Sequence, residues 1–293
     1  MLYDIRLSIA YTYAGSAVGG RHLVRVMPLE VPGQQRLIAG LLDITPRPEE
    51  RQDGFDFFGN ATTSFAFRGA HKSVGFKVQA RVERIGVHAD LRQTLPLTAL
   101  PAALDDHTDL GPASPLHFLA ASVRVPPHPG MTRYAHAALR PGMSAVQAVV
   151  SIGQAIYTDM AFDAKATTVE TPAAEAFAKR RGVCQDFSHI MITCLRGIGI
   201  PAGYVSGYLR TRPPPGKARL EGADAMHAWV RAWCGPALGW VDYDPTNACI
   251  PGADHIVAAY GRDYSDVSPI KGSMRLSGGQ KSIQAVDVIA VSE

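Results

Sequence analysis

Two stretches near the start of the chain carry an apolar residue at every second position. The first runs through Tyr3, Ile5, Leu7, Ile9 and Tyr11, and the second through Val74, Phe76, Val78, Ala80 and Val82. A period of two predicts strands with one buried face. The segment "DGFDFFGN" (53–60) has the Gly and Asn of a turn and is followed by a short strand around Phe65. We therefore predict an antiparallel β-sandwich over residues 1–90.

The apolar pattern changes after this region. Residues 91–142 are rich in proline and have little periodicity, which predicts an ordered connection with short helical turns. The next segment has apolar or small residues at spacings of three and four, the period of a helix: Val146, Val149, Val150, Gly153, Ile156 and Tyr157. We place a second domain, called the core domain below, at residues 143–293.

A second helical pattern begins at a cysteine. In "RRGVCQDFSHIMITCLRGIGIP" (180–201) the apolar residues have helical spacing after Gly182, and the pattern stops at a Gly-Ile-Gly-Ile-Pro sequence. Cys184 is therefore predicted at the N-terminus of a helix, where free backbone N–H groups and the helix dipole favour a thiolate. This makes Cys184 a candidate nucleophile. The alternative, a small buried hydrophobic residue, is our prediction for Cys194.

Three short strands are predicted after this helix, at 202–209, 226–234 and 239–247. His227 lies on one face of the second strand, together with Trp229, Arg231 and Trp233. Trp240, Asp242 and Asp244 share one face of the third strand. Adjacent antiparallel strands would place a carboxylate beside the imidazole, and Asp242 and Asp244 both fit. Cysteine, histidine and carboxylate would then supply a nucleophile, a general base and a group that orients the base.

Charge and cysteine content exclude several functional classes. The chain of 293 residues has 29 Lys and Arg against 26 Asp and Glu, a formal charge of +3, so neither nucleic acid nor an anionic membrane is an expected partner. The N-terminus lacks the pattern of a secretory signal, and no apolar stretch is long enough to span a bilayer. The four cysteines include no CxxC pair. We expect free thiols, a cytoplasmic location, and neither a structural metal nor an organic cofactor.

Three separated motifs carry a family resemblance. "GVCQDFSHIMITCLRGIGIPAGYVSGYL", "HAWV" and "GWVDYDPTN" together resemble the core of the bacterial transglutaminase-like superfamily, which also includes candidate cysteine peptidases. The N-terminal "HLVRVMPLE" and "FDFFGN" resemble the β-sandwich that often precedes that core. The resemblance implies an α+β fold, in which the sandwich is followed by a papain/transglutaminase-like core with a nucleophile helix packed on an antiparallel sheet.

The resemblance also assigns roles to residues. It implies that Cys184 is the nucleophile, that His227 is the base and that Asp244, the aspartate of "DPT", is the partner of His227. Asp242 remains a competitor on geometry alone. Gln185 and Asp186 match the "CQD" pattern as possible supporting residues, although Asp186 equally suits a helix cap. The remaining possible supporting residue is Trp240, for which a place in the core or in a cleft wall is the simpler interpretation.

These roles imply acyl transfer on amide bonds through a thioester, with a peptide or protein as substrate. Either hydrolysis or transamidation of peptide or glutamine amides would follow, and no metal or cofactor would be needed. One alternative is a non-catalytic module that binds a protein or peptide on the same scaffold. Another is acyl transfer from coenzyme A, as in arylamine acetyltransferases, for which the sequence shows no convincing phosphate-binding loop.

Several other features are predicted to be structural. His189 lies on a different face of the helix from Cys184 and is expected to pack or to be solvated. "SGGQ" (277–280) is expected to form a turn, and residues 210–224 to form either a flap over the site or a surface loop. The remaining histidines of irregular segments are expected at the surface: His107, His117, His128 and His255.

Overall fold

The structure is a computed structural model that describes residues 1–85, 94–211, 222 and 224–291. Its strands are β1 (Leu2–Val24), β2 (Gln35–Thr45), β3 (Glu50–Phe55), β4 (Ala61–Phe67), β5 (His71–Arg84), β6 (Ala161–Phe162), β7 (Arg181–Gly182), β8 (Ala202–Leu209), β9 (Ala225–Trp233), β10 (Trp240–Tyr243), β11 (His255–Gly261), β12 (Ile270–Leu276) and β13 (Gln280–Ala290). Its helices are α1 (Leu100–Asp105), α2 (Pro129–Ala137), α3 (Ala145–Asp159), α4 (Ala173–Lys179), α5 (Cys184–Gly197) and α6 (Tyr264–Val267). Short 3₁₀ turns lie at Leu97–Ala99 and Pro115–Phe118.

The predicted N-terminal strands form one antiparallel sheet in the order β2-β5-β1-β4-β3, and β12 and β13 also pair with β1. The first half of β1 pairs with β5 and β13, and its second half with β4 and β12. A register shift between Thr12 and Ala17 separates these halves. The sheet therefore curls over its own core, where the rings of Phe65 and Phe76 lie 5.8 Å apart. The mixed α and β fold class predicted from the sequence is confirmed.

The chain returns to this first sheet at its C-terminal end. Val286 and Val288 of β13 are buried in the same core as Ile5 of β1. The sequence analysis assigned all of residues 143–293 to the core domain and did not predict that β13 pairs with β1. A period of two identifies a strand but not its partner. The three predicted ranges remain predictions as domain limits. The turn at "SGGQ" lies between β12 and β13, as expected, and Gly278 has a positive φ of 92° there.

A second antiparallel sheet, in the order β10-β9-β8-β11, carries α5 on one face. Residues such as Ala228 and Val230 of β9 share one hydrophobic core with Ile190 and Met191 of α5. Helix α3 packs against β10 at Gly153, where any side chain would collide with the ring of Tyr243. This glycine lets α3 lie close to the strand that leads into the candidate site.

Ser144 is the N-cap of helix α3: its Oγ accepts from the Gln147 backbone N–H at 3.2 Å, while the Gln147 side chain accepts from the Ser144 N–H at 2.9 Å. This reciprocal capping box fixes the first turn of the helix. The predicted apolar face is buried at Val146 and Ile156, but Val150 is 36% exposed and Tyr157 is 48% exposed. These two side chains therefore lie at the rim of the buried face.

The two sheets are joined by a buried amide. Gln35 Nε2 donates to the carbonyl oxygens of Leu29 and Val257, at 2.7 Å and 2.8 Å, and Gln35 Oε1 accepts from the Val257 N–H at 2.9 Å. Side chains of β8 and β11, including Tyr208 and Ile256, enter the core of the first sheet. The N-terminal region therefore forms a wall of the space beside β9 and β11. Within the described residues, no helix is both long and apolar enough to cross a bilayer.

Candidate active site

Cys184 is the first residue of α5, as predicted, and is partly exposed. The Oδ2 of Asp186 accepts from the Val183 backbone N–H at 2.8 Å and from the Thr167 hydroxyl at 2.6 Å. Any side chain at Gly182 would collide with this carboxylate. Asp186 is therefore placed as a helix cap, one of the two roles considered from the sequence. Burial raises its pKa, against the effect of these two hydrogen bonds.

Gln185 also supports the start of α5, and among the described residues it makes no hydrogen bond that would orient the ring of His227. Its side chain is buried, and Nε2 donates to the carbonyl oxygen of Val169 at 3.1 Å. This bond ties the segment before α4 to the helix that carries Cys184. The "CQD" sequence thus places the candidate nucleophile directly before two residues that fix the geometry of the helix N-terminus.

His227 and Asp244 meet at the ends of neighbouring strands. His227 lies in β9, Asp244 directly follows β10, and the distance from His227 Nε2 to Asp244 Oδ2 is 2.7 Å. Asp244 is fully buried, and its Oδ1 accepts from the backbone N–H groups of Thr246 and Asn247 at 2.9 Å and 3.2 Å. Asn247 Nδ2 donates to Oδ2 at 2.7 Å. The carboxylate is therefore held in a fixed orientation by the turn that follows it.

Cys184 completes this arrangement. Burial by itself lowers the pKa of His227, but hydrogen bonds with Asp244 and with the Cys184 side chain raise it to about 10. Burial likewise favours the neutral form of Asp244, yet the hydrogen bonds from His227 and His255 hold the pKa of its carboxyl well below the usual range. Both shifts favour a protonated imidazole and a charged carboxylate at neutral pH, with the sulfur of Cys184 beside the ring.

Asp242, the competing carboxylate, lies elsewhere. It is opposite Arg231 in the register of β9 and β10, and its Oδ2 accepts from Trp229 Nε1 at 2.9 Å. The face predicted for Asp242 is correct, but β10 ends at Tyr243 and the chain turns at Asp244, which pairs with Cys249 in an isolated bridge. That turn brings Asp244, not Asp242, to His227. Burial raises the pKa of Asp242, which is the opposite direction to the shift of Asp244.

Comparison with known proteins identifies the family of the chain. The family model described as Transglutaminase-like superfamily matches residues 132–245, and that described as Bacterial transglutaminase-like N-terminal region matches residues 3–83. An uncharacterized protein of Mycobacterium tuberculosis is 33% identical over 265 residues, which cover 87% of this chain and 82% of that protein. The chain belongs to the transglutaminase-like superfamily.

Two further proteins are similar to this chain over nearly their whole length. An uncharacterized protein of Mycobacterium leprae is 28% identical over 267 residues, 90% of each chain. The crystal structure of a candidate cysteine protease from Cytophaga hutchinsonii superimposes with a TM-score of 0.81 at 21% identity, over 100% of this chain and 91% of that one. At this identity the structural likeness supports the fold alone.

The transglutaminase-like site of this chain contains a second imidazole, which sequence reasoning missed. His255 was expected at the surface, but it is only 6% exposed, and its Nε2 lies 3.1 Å from Asp244 Oδ2. It is the first residue of β11, and the apolar run "HIVAAY" (255–260) was the signal that it enters a buried strand. Ligand atoms of His227, Asp244 and His255 lie within 4.8 Å of one another, so these residues could hold a metal ion.

The remaining aromatic and histidine candidates form the surroundings of the site. The Trp229 ring stacks on that of His227, with centroids 6.2 Å apart. Trp240 Nε1 donates to the carbonyl oxygen of Ala113 at 2.8 Å, so Trp240 is anchored to the connection rather than to the imidazole. His189 is buried and accepts from the Tyr264 N–H at 3.2 Å, and burial lowers its pKa to about 4. His189 therefore packs as a neutral ring. Of the possible flap, residues 212–221 and 223 lie outside the described residues.

Proposed function

We propose that this protein is a cysteine-dependent enzyme that transfers acyl groups from amide bonds through a thioester on Cys184. The observation that carries the proposal is the placement of Cys184, at a helix N-terminus, beside the His227 ring, whose Nε2 lies 2.7 Å from Asp244 Oδ2. A protonated imidazole beside a sulfur suits a thiolate–imidazolium pair, in which the nucleophile is already charged. The substrate would be a peptide or protein, with no cofactor required.

In the proposed reaction the Cys184 sulfur attacks an amide carbonyl carbon, and the carbonyl oxygen becomes an oxyanion. The backbone N–H of Cys184, at a helix N-terminus, is one donor for that oxyanion. His227 gives its proton to the departing amine, and the carbon–nitrogen bond breaks to leave a thioester. Water or an amine then attacks the thioester carbonyl, and His227 takes a proton from this attacking molecule. The carbon–sulfur bond breaks and Cys184 is released. Asp244 keeps the ring oriented and stabilises its protonated form.

The product of the second step distinguishes hydrolysis from transamidation. We expect incubation with glutamine-containing peptides and an isotopically labelled primary amine to produce a thioester adduct on Cys184, detected by intact-protein mass spectrometry and peptide mapping. A gain of one mass unit in the glutamine peptide would indicate deamidation, a cut peptide would indicate proteolysis, and incorporation of the labelled amine would indicate transamidation. The control is the Cys184→Ala chain, which cannot form the thioester. Binding of peptides without any adduct or product would support the non-catalytic binding module instead.

Alkylation should separate Cys184 from the other thiols. With iodoacetamide near neutral pH we expect Cys184 to react first, because it is partly exposed at a helix N-terminus. Burial and the charge of Asp244 raise the pKa of Cys249 to about 11, and burial raises the pKa of Cys194 and of Cys234 to about 12. The rates are measured by peptide mapping over time.

Cys249 is the internal comparison in this alkylation experiment, since it is also partly exposed. The His227→Ala variant should slow labelling of Cys184 and leave that of Cys249 nearly unchanged. Equal labelling rates for Cys184 and Cys249 would contradict a special environment for Cys184.

The proposal also places the protein in the cytoplasm. All four cysteines are free thiols, a state that suits a reducing compartment. Fractionation of cells, followed by detection of the native protein, tests this part separately from the chemistry.

A further inference from the structure

A cavity of about 540 Å³ lies beside the candidate active site. Its walls come from the N-terminal region, the connection and the second sheet, and the residues that matter here are Arg84, Trp229, Arg231, Trp240, Asp242 and Tyr260. Neither Cys184 nor His227 is among its described lining residues. The volume is within the range of small-molecule binding sites, about 300–1,000 Å³. The cavity therefore has room for a ligand that does not itself contact the sulfur of Cys184.

One wall of the cavity contains a guanidinium group between two aromatic rings. The Arg231 Cζ lies 4.1 Å from the centre of the Trp240 ring and 4.3 Å from that of Tyr260. Its Nε is inaccessible to solvent and has no hydrogen-bond partner among the described residues. Asp242, opposite Arg231 in the strand register, directs its Oδ2 to Trp229 Nε1 instead. The rings hold Arg231 in place, but no carboxylate among the described residues forms an ion pair with it.

Arg84 adds a second, incompletely satisfied guanidinium. Its side chain is buried, and its Nη1 and Nη2 donate over long distances, 3.4 Å to the carbonyl oxygen of Gln34 and 3.3 Å to that of Gly252. The Nε of Arg84 also has no partner among the described residues. Burial lowers the pKa of both Arg84 and Arg231. The charge of Asp242 partly offsets the positive charge of Arg84 and Arg231, but among the described residues it forms no ion pair with either arginine. Glu30, the other acidic residue of the lining, is exposed and accepts from the Leu37 N–H instead. Two guanidinium groups whose Nε atoms lack partners in the described part of the chain therefore favour an additional anion in the cavity.

We propose that this cavity binds a carboxylate on a peptide-sized molecule, with Arg231 and Arg84 as the groups that recognise it. Guanidinium groups match the planar geometry of a carboxylate, and such charge-assisted bonds are stronger than neutral ones. Trp229, Trp240 and Tyr260 supply flat apolar walls for the rest of the ligand. The proposal does not depend on whether Cys184 is catalytic.

The ligand carboxylate has two possible sources with the same chemistry, the C-terminus of a peptide and the side chain of Glu or Asp. Trp229 gives the cavity a contact with the candidate active site, since its ring lines the cavity and stacks on that of His227. Two of the three tryptophans of the chain, Trp229 and Trp240, line the cavity. Binding should therefore change the intrinsic tryptophan fluorescence.

The test uses the full chain with Cys184→Ala, which prevents turnover of the probes. Three peptides are titrated by fluorescence and calorimetry: acetyl-Ala-Ala-Phe with a free carboxylate, the same peptide as a C-terminal carboxamide, and acetyl-Ala-Glu-Phe-amide, whose carboxylate is on a side chain. We expect at least one acid to bind roughly tenfold or more tightly than the carboxamide, since the latter lacks the charge-assisted bonds. Preference for the first acid would identify a C-terminus as the source, and preference for the third peptide a side chain.

Variants test the two arginines directly. Arg231→Met and Arg84→Met should each weaken binding of the preferred acid roughly tenfold and reduce its advantage over the carboxamide. The matched control is Arg36→Met, because Arg36 is an exposed arginine paired with Glu83 at 2.8 Å and is not among the described residues that line the cavity. Circular dichroism checks the fold of each variant. If an arginine variant does not fold, the comparison of acid with carboxamide on the Cys184→Ala chain still tests the proposal. Equal affinity for acids and carboxamide, no binding up to about 10 mM, or acid binding unchanged in both folded arginine variants would overturn the proposal.

Discussion

We expect the Cys184→Ser variant to lose turnover of an amide substrate by roughly 10⁴-fold or more. A serine hydroxyl must transfer its proton to a neutral base as it attacks, whereas Cys184 faces an imidazole whose pKa is raised to about 10. At neutral pH that ring already carries its proton and cannot accept another. A site that favours a thiolate–imidazolium pair is therefore poorly suited to an uncharged hydroxyl.

This explanation also predicts the pH dependence of the Cys184→Ser variant. Its residual rate should rise as the pH increases toward the pKa of His227, because only the neutral ring can act as base for the hydroxyl. Loss of the sulfur removes one cause of the raised pKa of His227, but the hydrogen bond to Asp244 remains. The measurement is kcat/KM from neutral pH to about 10 with the peptide identified in the product-mass experiment.

The control for the serine variant is Cys249→Ser, which replaces another partly exposed thiol and should retain activity within a few fold. Circular dichroism and the melting temperature check that both variants fold. A Cys184→Ser chain with more than a tenth of the native rate would remove Cys184 from the role of nucleophile.

The elements that support the site could be predicted from the sequence because each has a local signal. The period of two in β1 and β5, the helical spacing after Gly182 and the glycines that end α5 depend on neighbouring residues only. Pairing of β13 with β1 joins Tyr3 to Ala290 and depends on residues far apart in the chain. Periodicity contains no information about such partners, so this part of the first sheet required the structure.

Three sequence motifs identified the three residues of the candidate site. The sequence could not show which of the two aspartates meets His227, because a turn determines this. Asp242 and Asp244 lie on the same face of the third predicted strand. In the structure β10 ends at Tyr243, so only Asp242 stays in the strand and Asp244 lies in the turn that follows. His255 lies beyond residues 132–245, the range matched by the superfamily core, so no motif pointed to it. Its contact with Asp244 joins β11 to the turn after β10, across strands that are not neighbours in the second sheet.

The choice between the two carboxylates leads to the second large effect. We expect Asp244→Asn to reduce kcat roughly a thousand-fold or more, because an amide can neither stabilise the protonated ring of His227 nor keep it correctly oriented. Asp242→Asn changes the carboxylate that accepts from Trp229 and should have a much smaller effect on kcat. The reverse order of the two effects would reassign the partner of His227 to Asp242.

Stability should show the same dependence on Asp244, with a defined pH profile. Removing one member of a buried charged pair costs about 3–5 kcal/mol, so Asp244→Asn should lower the free energy of unfolding by a comparable amount. The pKa of His227 is raised from 6.5 to about 10, so its contribution is complete below pH 6.5 and is lost as the pH rises toward 10. The pKa of Asp244 is lowered from 3.8, so its contribution is complete above that pH and is lost in stronger acid.

The stability difference between the native chain and Asp244→Asn should therefore be largest between pH 3.8 and 6.5 and should shrink on both sides. Denaturant unfolding at a series of pH values measures it, and an NMR titration of the His227 ring follows the fall of its pKa in the variant. A difference that instead grew between pH 7 and 10 would mean that His227 is not held in its protonated form by Asp244. The mechanism would then require a neutral imidazole that takes the proton of Cys184 during attack, and the serine variant would lose less activity than a preformed ion pair implies.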